Sequence, residues 1–203
     1  AVKGVHTEGR AFIEKACGAG ASCVVAEKGD IGPCSVPVIE IDNLYRALGP
    51  IAAAYYGNST AQMIGIAVTG TNGKTTTTML STAIIAEAGK SVVAAGNVGP
   101  NALGELEKHR QVGTLPDFWV LELSSFQLET TESLHCDSAA LLNITEDHID
   151  WHGSMEKYAA AKRKIFSADT VRVLNREDPG SMLSAEGVPS DLVHTFGSDA
   201  PKK

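Results

Sequence analysis

The chain has 203 residues, enough for one large domain or one domain with part of a second, and 43% of them are apolar, which suffices for a core. A formal net charge of -7, with Lys162-Arg163-Lys164 as the densest basic run, argues against a nucleic-acid or membrane-surface binder. No stretch approaches the ~18 apolar residues of a membrane span, and the cysteines (Cys17, Cys23, Cys34, Cys136) form no C-x-x-C pair, so a reducing cytoplasm is the expected setting.

The opening Ala1-Val2-Lys3-Gly4-Val5-His6 carries neither an initiator Met nor an apolar signal region, and reads as a start partway through a gene product. From Ala11 to about Glu27 an amphipathic stretch (Phe12, Ile13, Ala16) runs through Gly18-Ala19-Gly20 into Cys23-Val24-Val25-Ala26, predicting helix, turn and strand. Val36 to Ile41 predicts a second strand. Asn43 can cap a helix whose Leu44, Ala47, Leu48, Ile51 and Ala52 recur at helical spacing. The polar break Gly57-Asn58-Ser59-Thr60 is the expected boundary between a partial N-terminal α/β domain, residues 1–60, and a larger one, residues 61–203.

Beyond the break, strands are expected at Gln62–Val68, Ser91–Ala95, Phe118–Leu123, Ser138–Ile144 and Thr170–Leu174. They alternate with helices from Lys74, near Asn101–Lys108, at Phe126–Ser133 and at Met155–Phe166. This alternation implies an α/β fold: a mostly parallel sheet with helices on both faces. Trp119-Val120-Leu121 and Ala139-Ala140-Leu141-Leu142 are continuous apolar runs, as strands buried on both faces require. Ligands of such sheets gather at the carboxyl ends of the strands.

The first strand there ends in Gly70-Thr71-Asn72-Gly73-Lys74-Thr75-Thr76. A glycine-rich turn between strand and helix presents backbone N–H groups to an anion, and the helix adds its N-terminal partial charge. Lys74 would reach the outer phosphates of a nucleoside triphosphate and Thr75 would offer its hydroxyl to Mg²⁺. The strict G-x-x-x-x-G-K-[ST] pattern asks for glycine where Val68 stands, so the loop is a variant. Leu80, Ala83, Ile84 and Ala88 predict an apolar face for the helix that follows, with Gly89 as its cap.

Further polar residues fall at the other strand ends. Glu122 stands where phosphate-loop enzymes hold Mg²⁺, and Ser124 and Gln127 share its rim. Asn143-Ile144-Thr145-Glu146-Asp147-His148 forms a polar cluster, in which His148 could ligate a metal. Asn97, in Gly96-Asn97-Val98-Gly99, suits either a substrate contact or a turn. Lys162 reads, by periodicity alone, as a charge on a helix. A phosphate-loop kinase or GTPase would want glycine at position 68 or an N-K-x-D motif, and neither is present.

From about Ile64 to Asn175 these motifs resemble the central domain of the Mur ligases, the ATP-dependent amino-acid-adding enzymes of peptidoglycan synthesis. The residues that carry the likeness are Gly70 to Thr75, Gly96 to Gly99, Leu121 to Leu128, Asn143 to His148 and Tyr158 to Lys162. The wording of Leu121 to Leu128 and of Gly96 to Gly99 is closest to the D-glutamate-adding branch. The first ~60 residues are more similar to the branch that adds the third residue, diaminopimelate or lysine, so acceptor choice stays open between them.

The resemblance implies that Gly70 to Thr76, Lys74 above all, bind ATP. It implies that Thr75 and Glu122 bind one Mg²⁺, and that His148, Glu122 and Lys162, the last carbamylated, serve a second. It places Asn97, Ser124 and Gln127 at the UDP-muramoyl-peptide site. The implied reaction passes through an acyl phosphate that the incoming amino acid attacks, in a monomer. It also implies that the chain stops before the end of the central domain and before the amino-acid-binding C-terminal domain, which makes an inactive ATP-binding fragment the alternative to an active ligase.

Overall fold

The structure is a computed structural model that describes residues 1, 8–57 and 63–199, in two compact units, Ala1–Asn58 and Ser59–Lys203. Of the expected break at Gly57-Asn58-Ser59-Thr60 only Gly57 lies among the described residues, and Gln62, the expected start of the next strand, lies outside them.

In the first unit, β1 (Val24–Glu27) and β2 (Val38–Ile41) pair in parallel, Val24 opposite Val38. A short helix, α1 (Ile13–Gly18), follows a 3-10 turn and sets Ile13 against Val24 and Ala26, with Cys17, Cys34, Val36 and Val38 packed around them. Phe12 and Ala16, expected on the inner face, are exposed, because so short a helix has room to bury one side chain. The second helix, α2 (Leu44–Tyr55), starts at Asn43, whose side chain accepts from the Arg46 N–H in a left-handed cap. Leu44 is buried but Leu48 and Ile51 are exposed, so two strands cover only part of the predicted face.

The second unit is a six-stranded parallel sheet, with strands β3 (Ile64–Thr69), β4 (Val92–Gly96), β5 (Phe118–Glu122), β6 (Ser138–Leu141), β7 (Val171–Asn175) and β8 (Val193–Phe196). Their order is β4-β5-β3-β6-β7-β8. The connecting helices are α3 (Lys74–Glu87), α4 (Ala102–Val112), α5 (Ser125–Glu129), α6 (Ile149–His152), α7 (Met155–Arg163) and α8 (Pro179–Met182). The chain builds one edge through β4 and β5, then crosses β3 to begin β6, so the end of β3 lies between the ends of β5 and β6.

Both faces of the sheet are covered, as the continuous apolar runs predict. Val68, Val120, Ala140 and Leu142 pack with Ile85 on one face; Ala67, Leu128, Cys136, Ala139 and Ile165 pack on the other. The strand β8 was not anticipated, since its four residues include one half-buried side chain and three exposed ones.

The face of α3 differs from expectation. Leu80, Ala83, Ile84 and Ala88 all point to solvent, with Ile84 68% exposed, while Thr78 is buried and Ser81, Thr82 and Ile85 are half-buried. Short hydroxylated side chains let the helix lie close to the sheet, and Thr82 satisfies its hydroxyl by donating to the Thr78 carbonyl at 2.8 Å. Apolar periodicity therefore picked out the wrong side.

Candidate functional site

The glycine-rich loop at the end of β3 is fastened from β6. The Asn143 side-chain oxygen accepts the Thr71 and Asn72 N–H groups at 2.9 and 2.8 Å, and its amide donates to the Asn72 carbonyl at 3.1 Å. The first half of the loop thus spends two N–H groups on the protein itself. The start of α3 leaves the amides of Lys74, Thr75 and Thr76 without intrahelical acceptors, so the anion-facing donors belong to the second half. Gly73, at φ +82, makes the turn into the helix, and a Cβ on Gly70 would stand 3.0 Å from Leu142 Cβ. Lys74 folds back over the loop, its Nζ donating to the Gly70 and Thr71 carbonyls at 3.1 and 2.9 Å.

On the β5 side lies Glu122, buried to 1% exposure. Thr75 Oγ1 donates to its Oε2 at 2.9 Å and Asn97 Nδ2 to its Oε1, also at 2.9 Å. Gly96, at φ +117, lets β4 come this close: a Cβ there would lie 2.3 Å from the Glu122 carbonyl oxygen, which also accepts the Asn97 N–H. Among the described residues no cation pairs with this carboxylate. Two neutral donors hold an anion away from water, which suits a further positive charge at the site. A threonine hydroxyl beside a carboxylate is also the hard-oxygen donor pair that Mg²⁺ prefers.

On the β6 side lies Lys162, near the end of α7 and 2% exposed. Its Nζ donates to the Gly70 carbonyl at 2.9 Å and sits 4.6 Å from the centre of the Tyr158 ring. Burial, reinforced by the Lys74 charge, pulls its pKa down from 10.5 to about 8, against an opposing pull from Asp147. The helix-surface reading of Lys162 is overturned. Tyr158 Oη is 3.1 Å from Thr71 Oγ1, and burial raises the phenol's pKa.

His148 has φ +50 at the start of α6, lies between the Phe126 and Tyr158 rings, and has Nε2 3.3 Å from Asp147 Oδ2. Among the described residues no three His, Cys, Asp or Glu side chains converge as a metal would need. Lys162, as an amine, is a donor bound to the Gly70 carbonyl and offers no ligand oxygen.

A strand-loop-helix anion site with a carboxylate at the neighbouring strand end fits many phosphate-handling folds; comparison with known proteins narrows it. The Mur ligase middle domain family model matches residues 68–203. The chain belongs to the Mur ligase family. It is 60% identical over 136 residues to the UDP-N-acetylmuramoylalanine--D-glutamate ligase of Ralstonia nicotianae, 67% of this chain and 27% of that protein. It is 49% identical over 172 residues to the ligase of the same name from Cupriavidus metallidurans, 83% of this chain and 33% of that protein. The chain thus spans about a third or less of these relatives. Among solved structures, the fold is similar to MurF from Acinetobacter baumannii (TM-score 0.69, 20% identity, 97% of this chain and 44% of that chain). It is likewise similar to the MurF ligase of Thermotoga maritima in complex with ADP (TM-score 0.68, 23% identity, 96% and 45%).

Within this Mur ligase domain, Ser124 and Gln127 form a capping box on α5. The Gln127 N–H donates to Ser124 Oγ at 3.3 Å, and the Ser124 N–H and Oγ both donate to Gln127 Oε1 at 3.0 Å. Their side chains are occupied locally, as the S-x-x-Q spacing alone would suggest. Asn143 and Tyr158 each reach the loop from more than 70 residues away in sequence, and no local pattern announces such a contact.

Proposed function

We propose that this chain carries the nucleotide site of an ATP-dependent ligase that joins D-glutamate to UDP-N-acetylmuramoyl-L-alanine. The identity to relatives bearing the D-glutamate ligase name supports the reaction class and the acceptor. The observation that carries the reading is the arrangement around Lys74, with an unneutralised buried carboxylate at Glu122 on one side and a buried amine of lowered pKa at Lys162 on the other. On this reading residues 61–203 are the ATP-binding part and residues 1–60 belong to the substrate side.

The amides at the start of α3 and the Lys74 ammonium bind the β- and γ-phosphates. Lys74 exchanges its two loop carbonyls for phosphate oxygens, a stronger charge-assisted pairing. Thr75 and Glu122 would hold one Mg²⁺, and His148, Glu122 and a carbamylated Lys162 would serve a second. Mg²⁺ held by these residues would supply charge neutralisation at the phosphate oxygens. The neutral Lys162 amine, well populated near pH 8, adds to CO₂ with loss of one proton, and a cation becomes an anionic oxygen donor. Asn97, Ser124 and Gln127 face the UDP-muramoyl peptide across the same rim.

The substrate carboxylate takes the γ-phosphoryl group, ADP leaves, and the amine of D-glutamate displaces phosphate from the acyl phosphate. The enzyme acts by positioning and charge neutralisation, with no covalent enzyme intermediate.

Calorimetric titration of Mg-ATP into the chain, beside Lys74→Ala and with and without bicarbonate, tests the reading. The expected result is saturable binding weakened at least tenfold in Lys74→Ala, since a charged hydrogen bond contributes about 1.5–3 kcal/mol. Bicarbonate should add one CO₂ to Lys162 by intact mass. Equal affinity in the two proteins would refute the site.

A further inference from the structure

The four cysteines occupy different environments, and two of them meet. Cys17 Sγ on α1 and Cys34 Sγ on the segment before β2 are 3.8 Å apart, although they stand 17 positions apart in sequence. Both are half-buried and form the wall of a cleft of about 630 Å³ that Ile13, Glu14, Gly18, Pro33 and Ser35 also line. Cys23 is exposed, with no sulfur contact among the described residues. Cys136 is buried under the large sheet, where burial, with help from the Asp137 charge, pushes its thiol pKa up to about 12.

We propose that Cys17 and Cys34 form a reversible dithiol site that low-molecular-weight disulfides oxidise to an intrachain disulfide. The sulfurs need to approach by about 1.8 Å to reach the bonding distance of about 2.05 Å. The cleft admits a small reagent to both sulfurs.

The thiolate of one cysteine attacks the reagent RSSR and expels RS⁻, leaving a mixed disulfide. The second thiolate then attacks the protein sulfur of that adduct and expels the other RS⁻. Two cysteine thiols are oxidised, one RSSR is reduced to two RSH, and the two protons pass to the departing thiolates. The product ties α1 to the segment leading into β2, across the small core of Ile13, Val24 and Ala26. A small thiol reverses it, so the site reports the thiol-disulfide balance around the protein.

Treating the whole chain with glutathione disulfide, quenching with an alkylating agent and mapping peptides by mass spectrometry tests this. The expected product joins the peptides of Cys17 and Cys34 and lacks two hydrogens. Cys23 stops at the glutathione adduct and Cys136 stays reduced. Cys17→Ser and Cys34→Ser should each leave the remaining partner as a stable adduct, while Cys23→Ser leaves the cross-link intact. Phenylarsine oxide, which bridges two neighbouring thiols, should bind once to the untreated protein and protect Cys17 and Cys34 together from alkylation, a measurement that needs no variant. Separate adducts on Cys17 and Cys34, with no shared arsenic, would overturn the proposal.

Discussion

The two flanks of the glycine-rich loop are built with opposite errors of charge. On the β5 side a carboxylate, Glu122, is buried among neutral donors; on the β6 side an ammonium, Lys162, is buried against a carbonyl and an aromatic ring. Among the described residues neither is in an ion pair, and the loop lies between them. A protein selected for stability alone would pair such charges or replace them with apolar groups, because each isolated charge costs free energy that packing must offset. The difference between the flanks teaches what each awaits. The carboxylate suits a cation, and the amine suits conversion to an anion or the approach of phosphate.

Lys162 offers the largest test. Its folded pKa is lowered to about 8 from 10.5, so the folded state disfavours its charged form. The penalty is fully present below about pH 8 and is relieved as pH rises from there towards 10.5, where the unfolded chain holds the proton and the folded one does not. In CO₂-free buffer the wild-type chain should therefore gain about 2–3 kcal/mol more than Lys162→Met between pH 7 and pH 10. Denaturant unfolding at a series of pH values checks this, and parallel profiles would show that Lys162 is charged at no cost. Methionine is unbranched and one atom shorter than lysine, and Lys74 still donates to the Gly70 carbonyl, so the variant leaves the loop with a donor.

Asn143 tests whether the β6 flank fixes the loop mechanically. Asn143→Ala removes the acceptor of the Asn72 N–H and one of two acceptors of the Thr71 N–H, which also reaches the Asn143 carbonyl at 3.0 Å. The expected loss is about 1–2 kcal/mol of stability. Mg-ATP affinity should fall with it, because the loop loses its preorganised shape while every phosphate-facing donor remains. Unchanged affinity with lowered stability would place Asn143 outside the site.

How far these flanks were legible in the sequence follows from the range of each contact. The loop, the alternation of strands and helices and the rim positions of Glu122 and His148 rest on short local patterns, and the sheet bears out the parallel, doubly covered architecture. Lys162 was illegible by periodicity because its environment is made by Gly70, 92 residues earlier. It was the family resemblance that marked it out. The side of α3 that meets the sheet was misread because threonines, not leucines, pack there. Cys17 and Cys34 lack any motif spacing, and their meeting depends on the path of the chain between α1 and β2.

Glu122→Gln gives the smallest change in stability and the sharpest separation of the flanks. Glutamine keeps the shape and one oxygen, and the Thr75 hydroxyl can rotate to accept from the new amide. The apo protein should stay within about 1 kcal/mol of wild type, since a lost hydrogen bond to the charged oxygen is offset by a charge no longer buried. What should change is the response to metal. With the carboxylate present, titrating Mg²⁺ at fixed ATP should tighten nucleotide binding; with the amide, only the binding of free ATP to Lys74 and the helix amides should remain. If Mg²⁺ strengthens ATP binding equally in both proteins, the β5 flank holds no metal and the buried carboxylate serves only to anchor Thr75 and Asn97. If the metal effect vanishes while Lys162 still accepts CO₂, the two flanks act independently, each completed by its own small species.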